Sequence, residues 1–237
     1  MCCDLTEIRG YNLKLYQRKK GYRFSIDSFL LAYFVATQKF ENAFEIGAGN
    51  GIVSLLVERM TENSKHFELV EIQGGLCDLL KKNVEMNRPF KSEFIVRCED
   101  AKYILPSKTP DIVYLNPPFT DFKKGKVSPN IEKAIAKHTY MLEFNQYIDW
   151  FMENTHGNSS LVIIESVYNL QKIINYLKKK ELFLNKLVYV KPFDNCDPNL
   201  VLLFIIKKSR KTVFDEIVIY RKKGIYTEKV KKILGMV

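Results

Sequence analysis

The sequence predicts an α/β domain, a mainly parallel sheet with helices on both faces. Three observations carry that expectation. Apolar β-branched runs alternate with longer segments whose apolar residues recur three and four apart. The chain has 237 residues, 46% hydrophobic and 27% charged, enough for one large packed core. The residues with chemical potential stand just after predicted strands, where open parallel sheets bind ligands. There is no internal repeat, low-complexity tract or linker. A single domain over 1–237 is therefore expected, with an N-terminal arm and helix in 1–40 and a basic insertion at 120–138.

The elements follow in order. Asn42–Gly47 reads as a strand, and Gly51–Met60 as a helix with Ile52, Leu55, Leu56 and Arg59 at helical spacing. Phe67–Ile72 is a strand, Leu76–Asn87 a helix, and Glu93–Cys98 a strand. Asp111–Leu115 is a strand that stops at Pro117-Pro118, which cannot continue a ladder. Phe144–Asn154 is a helix, Ser160–Glu165 a strand, and Tyr168–Lys180 a helix with Leu170, Ile173, Ile174 and Leu177 on one face. Leu187–Val190 and Leu200–Ile206 are joined by a link too short for a helical crossover, so an antiparallel pair is expected. Ile217–Tyr220 reads as one more strand and Thr227–Leu234 as a last short helix.

Composition excludes several classes. The longest apolar run, Leu200 to Ile206, is too short to span a bilayer. Met1-Cys2-Cys3-Asp4 has no basic flank followed by an apolar core, so no signal peptide is expected. Five cysteines without CxxC spacing argue against a disulfide framework and a structural zinc site, which points to the cytoplasm. The formal charge of +10 is unevenly spread. Residues 1–118 hold 16 basic and 15 acidic side chains; residues 119–237 hold 21 and 12. A neutral half beside a basic half suggests different partners, and the basic one suits a phosphate backbone.

Glu45-Ile46-Gly47-Ala48-Gly49-Asn50-Gly51 follows a strand and opens a helix. Its glycines allow a tight turn and close approach of backbone to ligand. The pattern is not the dinucleotide fingerprint and has no phosphate-binding lysine. Its acidic lead would repel a pyrophosphate but could help hold an ammonium-bearing ligand. Glu71 ends the next strand, where a carboxylate can accept both ribose hydroxyls. Asp100 follows the third, where it could accept from an adenine amino group.

Asn116-Pro117-Pro118-Phe119 ends the fourth strand and is the most specific feature. The prolines fix the backbone and leave carbonyls that no local N–H consumes. The Asn116 amide oxygen and the Pro117 carbonyl can accept both hydrogens of an exocyclic amine. That localises the nitrogen lone pair and aims it at an electrophile. Phe119 offers a flat face for an unstacked base.

These motifs, in this order and spacing, resemble class I S-adenosylmethionine-dependent methyltransferases with an amino-group acceptor. Gln17-Arg18-Lys19-Lys20-Gly21-Tyr22-Arg23-Phe24-Ser25-Ile26-Asp27-Ser28, with the long stretch after Phe119, narrows the resemblance to the bacterial tRNA1(Val) adenine-N6 methyltransferases, which act on the adenine just 3′ of the anticodon. The resemblance implies a Rossmann-like fold with a seven-stranded sheet whose last strand is antiparallel. It implies S-adenosylmethionine as cofactor, with Glu45, Gly47, Gly49 and Gly51 at its amino-acid part, Glu71 at its ribose and Asp100 at its adenine. Phe24, Ser25 and Asp27 would cover its methionine end, Asn116, Pro117, Pro118 and Phe119 would hold the acceptor base, and Asn116 would also border the cofactor. Family members often have Asp where Glu45 and Glu71 stand here, which alters reach more than role.

RNA contacts are expected from Lys123, Lys124 and Lys126 beside the acceptor motif, and from Arg18, Lys19, Lys20 and Arg23 at the same entrance. Tyr22 and Phe122 are candidate stacking side chains. The scattered His66, His138 and His156 are given no catalytic role, and no metal or membrane partner is expected. A monomer is expected, with a dimer as the alternative. Competing readings are a protein glutamine methyltransferase, an rRNA guanine-N2 methyltransferase and a catalytically silent RNA-binding protein on the same fold.

Overall fold

The computed structural model describes residues 3–19, 23–117 and 140–237, the side chains of 140–143 excepted. An N-terminal hairpin pairs β1 (Cys3–Ile8) with β2 (Leu13–Arg18), and helix α1 (Ile26–Ala36) follows. Then come β3 (Asn42–Ile46), α2 (Ile52–Met60), β4 (His66–Val70), α3 (Gly74–Met86), β5 (Glu93–Arg97), β6 (Ile112–Leu115), α4 (Tyr140–Asn154), β7 (Ser160–Ser166) and α5 (Leu170–Lys179). The chain ends with β8 (Phe183–Lys191), β9 (Leu200–Ile206), β10 (Val213–Val218), a small hairpin of β11 (Tyr220–Lys222) and β12 (Ile225–Tyr226), and α6 (Glu228–Ile233).

The main sheet runs β10-β8-β9-β7-β6-β3-β4-β5. Its strands are parallel except β9, which is antiparallel to β7 and β8. The expected fold class is therefore present, and so is the antiparallel pairing of the two late strands. The strand count differs: β10 adds an eighth strand at the edge, parallel to β8. Its Val213–Glu216 segment is exposed and half polar, so it gives no apolar signal. Lys186–Asp215 and Lys191–Glu216 ion pairs brace that edge at 3.1 and 2.9 Å.

Apolar residues fill both faces of the sheet. One cluster joins Ala43, Leu69, Tyr114 and Val162 to α1, α2 and the hairpin. The other joins Phe44, Val113, Leu161 and Ile163 to α4 and α5, with Phe44 stacked on Trp150 at 4.5 Å between ring centres. No helix among the described residues is long and apolar enough to cross a membrane.

Two further features depart from the sequence reading. The N-terminal arm is a docked hairpin whose Leu13, Leu15 and Gln17 point inward. Asn83 and Asn87, one turn apart on α3, substitute for a neighbouring strand. Asn83 accepts from the Tyr16 N–H and donates to the Tyr16 carbonyl, at 2.7 and 3.1 Å. Asn87 does the same with Lys14, at 2.9 and 2.7 Å. Each such bond contributes about 1 kcal/mol. The cysteines also differ from expectation. Cys77 on α3 and Cys98 just past β5 form a disulfide with Cα atoms 5.6 Å apart, a pairing that only the parallel neighbourhood of α3 and β5 creates.

Candidate active site

Strand register brings the predicted motifs to one edge. Ile46 of β3 pairs with Val70 of β4 and Leu115 of β6, and Val70 pairs with Arg97 of β5. The next residue on each strand is therefore Gly47, Glu71, Asn116 and Cys98, side by side at the carboxyl end. The glycine loop turns there. Gly47 has φ of +69°, and a Cβ at that position would meet open space. Gly51 has φ of +87° and caps α2, where a Cβ would meet the Leu80 side chain at 2.5 Å. The first keeps the rim of the loop bare; the second lets α2 and α3 pack closely.

Glu71 anchors this loop. It is buried, its Oε2 accepts from the Gly49 N–H at 2.8 Å, and its Oε1 accepts from the Gln73 N–H at 2.8 Å. Burial pushes its carboxyl above the ordinary carboxylate range. The N–H groups of Gln73, Gly49 and Ile72 and the charge of Arg18 pull it back.

Glu45, at the end of β3, is buried. It is turned into the interior, where the Ser54 hydroxyl lies between its carboxyl and the Tyr114 hydroxyl and bonds to both. Burial, with a contribution from the Glu71 charge, pushes it up to about 8. Through Ser54 and Tyr114, Glu45 ties β3 to α2 and β6 and stiffens the site from below. Asp100 is also engaged: it accepts from the Lys102 N–H at 3.1 Å and pairs with the Lys102 ammonium at 3.1 Å.

Asn116 is half-buried at the end of β6, and its Nδ2 donates to the Ser28 hydroxyl of α1 at 3.4 Å. That contact turns the amide nitrogen toward α1 and leaves the amide oxygen as the available acceptor. Pro117 beside it is buried. Pro118 and Phe119 lie outside the described residues, as do Lys20, Tyr22, Phe122, Lys123, Lys124, Lys126 and His138. At the start of α1, Ser25 donates to Asp27 at 2.6 Å, burial raises the Asp27 carboxyl, and Phe24 packs edge-on against Phe29.

The N-terminal cations are partly spent within the hairpin. Arg23 donates to Asp4 at 3.0 Å and to the Arg18 carbonyl at 3.2 Å, and Lys19 lies 3.8 Å from Asp4. Arg18 is half-buried and reaches the first turn of α3: a Cβ on Gly75 would lie 2.0 Å from its Nη2. The C-terminal surplus of charge is divided too. Lys207, Lys208, Arg210 and Lys211 fall between β9 and β10, at the amino end of the parallel strands. A cleft of about 720 Å³ opens there, lined by Lys39, Lys208, Arg210, Asp111 and His156. Part of the basic half thus faces away from the acceptor motif, because an antiparallel strand delivers its loop to the opposite edge.

Sequence reasoning missed Ser28, which it quoted only as part of a motif, and three exposed apolar side chains at the active edge. Ile72 follows Glu71 and is 61% exposed; Tyr103 and Tyr168, just past β5 and β7, are 85% and 75% exposed. An apolar residue directly after a strand-end acid was the available signal for Ile72. Among the described residues, no group of three or more His, Cys, Asp or Glu is arranged to hold a metal.

This sheet, with its lone antiparallel strand and its glycine loop after β3, is the fold of class I S-adenosylmethionine-dependent methyltransferases. A structure described as a predicted O-methyltransferase from Agrobacterium tumefaciens superposes with a TM-score of 0.65 at 19% identity, over 88% of this chain and 95% of that one. The complex of aTrm5 with tRNALeu superposes with a TM-score of 0.59 at 13% identity, over 87% of this chain and 53% of that one. Residues 23–170 match the model of the methyltransferase small domain, and the chain belongs to that family. Among curated relatives, a tRNA1(Val) (adenine(37)-N6)-methyltransferase of Haemophilus influenzae is 24% identical over 92% of this chain and 94% of its own. One of Aliivibrio salmonicida is 26% identical over 77% and 76%.

The family and fold imply S-adenosylmethionine as methyl donor, and the residues present fit it. The bare face at Gly47 leaves room for a ligand against the loop. The Glu71 carboxyl would offer oxygens to a diol, and the exposed Ile72 would offer an apolar surface to a nucleobase.

Proposed function

We propose that the protein methylates the exocyclic N6 amine of an adenine in tRNA, next to the anticodon of a valine tRNA. The observation that carries this reading is the orientation of Asn116. With its nitrogen held by Ser28 at 3.4 Å, its oxygen is the free acceptor for an amine hydrogen. An amine conjugated to a purine ring is a weak nucleophile. Drawing its hydrogens toward the Asn116 oxygen and the Pro117 carbonyl localises the lone pair and directs it along one line. The names of the curated relatives support the substrate.

Glu71 would hold the ribose hydroxyls of the cofactor, the glycine loop its amino-acid part, and Phe24, Ser25 and Asp27 the cover over it. Bound S-adenosylmethionine supplies an already activated sulfonium methyl, so the chain needs little acid–base machinery. Asn116 orients the acceptor and cannot take its proton, which leaves to solvent. Lys123, Lys124 and Lys126 would grip the RNA backbone, joined by Lys19, Lys20 and Arg23.

Incubation with unmodified total tRNA and labelled S-adenosylmethionine, followed by mapping of the product nucleoside, tests the reading. N6-methyladenosine in one tRNA is expected. A methylated guanine, a methylated protein glutamine or no incorporation would refute it. Asn116→Ala should lower turnover by about 100-fold or more, the size of losing one placed transition-state partner, with cofactor affinity changed by no more than a few-fold. Ser28→Ala should cost less, because the amide is loosened but present.

A further inference from the structure

Asn83 divides its two amide hydrogens between two parts of the chain. It is fully buried on α3. Its Oδ1 takes the Tyr16 N–H of β2 at 2.7 Å, and Nδ2 donates to the Tyr16 carbonyl at 3.1 Å. Nδ2 also donates to the backbone carbonyl of Asn50, in the glycine loop, at 2.9 Å. Gly51 caps α2, and its carbonyl takes the first bond of that helix, from the Leu55 N–H at 3.1 Å. Asn50 stands one residue before that ladder, so its buried carbonyl needs a donor from elsewhere, and Asn83 provides it. The Asn50 side chain leans on the hairpin as well, with its Nδ2 3.5 Å from the Tyr16 oxygen. Asn87, one turn later, clamps β2 with the same pair of bonds, to Lys14 at 2.9 and 2.7 Å. Its other amide contact is the Asn83 carbonyl of its own helix, at 2.7 Å. Asn87 therefore holds the hairpin, whereas Asn83 holds the hairpin and the loop.

We propose that Asn83 is a positioning residue for the cofactor: its amide fixes the Asn50 carbonyl, sets the turn of the glycine loop and locks that turn to the docked hairpin. The proposal rests on the reading that this loop receives the amino-acid part of S-adenosylmethionine. Asn83 is buried, so it acts through the loop backbone. The loop is pinned from two sides. Glu71 holds the Gly49 N–H at 2.8 Å from the end of β4, and Asn83 holds the Asn50 carbonyl from α3. Gly49 and Gly51, on either side of Asn50, have φ of +60° and +87°. Glycine admits many other conformations, so this stretch needs outside anchors to keep one. With the Asn83 anchor removed, the backbone that faces the ligand loses its fixed shape. The N-terminal hairpin thereby becomes part of the cofactor site without touching the cofactor.

Calorimetric titration of S-adenosylmethionine into wild type, Asn83→Ala and Asn87→Ala tests this. Each substitution removes one two-bond clamp on the hairpin, so both should lower the Tm. Asn83→Ala should also weaken cofactor binding about tenfold, the order of one lost hydrogen bond. Asn87→Ala should change it by less than about twofold. Equal affinities in the two variants would overturn the proposal, because hairpin docking would then account for whatever was lost. If Asn83→Ala folds too weakly to titrate, Asn83→Ser, which opens a smaller cavity, takes its place with the same outcomes. Amide exchange in the cofactor-free protein gives an independent answer. The Gly49 N–H, bound to Glu71, should exchange about tenfold faster in the Asn83 variant than in Asn87→Ala. Equal exchange rates would overturn the anchoring of the loop. If the wild type bound no cofactor, the role given to the glycine loop would fail, while the exchange comparison would still decide whether Asn83 holds that loop.

Discussion

Glu45 and Glu71 are the same side chain at neighbouring strand ends, and the protein uses them in opposite ways. Glu45 sits opposite Leu69 in the β3–β4 register, and Glu71 lies two residues beyond Leu69, so both project from the same face and their charges interact. Glu45 is surrounded by hydroxyls, with Ser54 and then Tyr114 beside it, and burial drives it up to about 8. Glu71 is surrounded by N–H groups from Gly49, Gln73 and Ile72, and the more distant charge of Arg18 acts in the same direction. Two close carboxylates resist simultaneous ionisation. The site resolves the conflict by giving one of them a proton and a structural task, and the other the donors that favour an anion. A strand-end acid is therefore defined by its partners more than by its place in a motif.

The sharpest way to break this contrast is to neutralise each carboxylate in turn. Glu71→Gln removes the anionic acceptor proposed for the ribose and replaces one oxygen bound by a backbone N–H with an amide NH₂. Cofactor affinity should fall by about 100-fold, the cost of losing a charged hydrogen-bond partner in a buried site. Glu45→Gln should change it by only a few-fold. Comparable losses in calorimetry would place both groups against the ligand and erase the distinction.

A second test asks what Glu45 does instead. Glu45→Ala leaves the buried Ser54 hydroxyl without its carboxyl partner, with the buried Tyr114 hydroxyl as its one remaining side-chain contact, and opens a cavity beneath the loop. A loss of about 2–4 kcal/mol in chemical denaturation is expected. Glu45→Gln, which keeps the volume and a hydrogen-bonding head, should cost well under half of that. If alanine were tolerated as well as glutamine, the Glu45–Ser54–Tyr114 chain would not be structural.

The same contrast explains what could be read in advance. The α/β pattern from β3 to β9 was legible because apolar periodicity reports burial directly. The glycine loop, Glu71 and Asn116 were legible because each follows a strand that ends at one edge. The N-terminal hairpin was not, since its second strand borrows partners from Asn83 and Asn87, some 70 residues away in sequence. Of β10, only the buried end at Ile217–Val218 fell within the strand read at Ile217–Tyr220; its exposed Val213–Glu216 segment, held by backbone pairing and ion pairs, was not legible. The inward turn of Glu45, the engagement of Asp100 with Lys102 and the reach of Arg18 to Gly75 depend on where side chains land across the fold. One-dimensional spacing carries no such information.

The smallest effect is the most discriminating, because it reads the proton on Glu45 itself. Glu45 titrates near 4.5 in the unfolded chain and near 8 in the folded one. Between those values the native state holds a proton that the unfolded state has released, so stability falls as pH rises through this window. The Glu45 contribution is fully present below pH 4.5 and is lost by about pH 8. Its slope is at most about 1.4 kcal/mol for each pH unit. Glu71, also raised, adds a slope of the same sign, so the measurement that isolates Glu45 is the difference between wild type and Glu45→Gln. Denaturation at pH 6 and pH 7 should show the wild type losing about 1 kcal/mol relative to the variant over that single step. Parallel slopes would mean that Glu45 is ionised in the fold, and the two carboxylates would then differ in position alone.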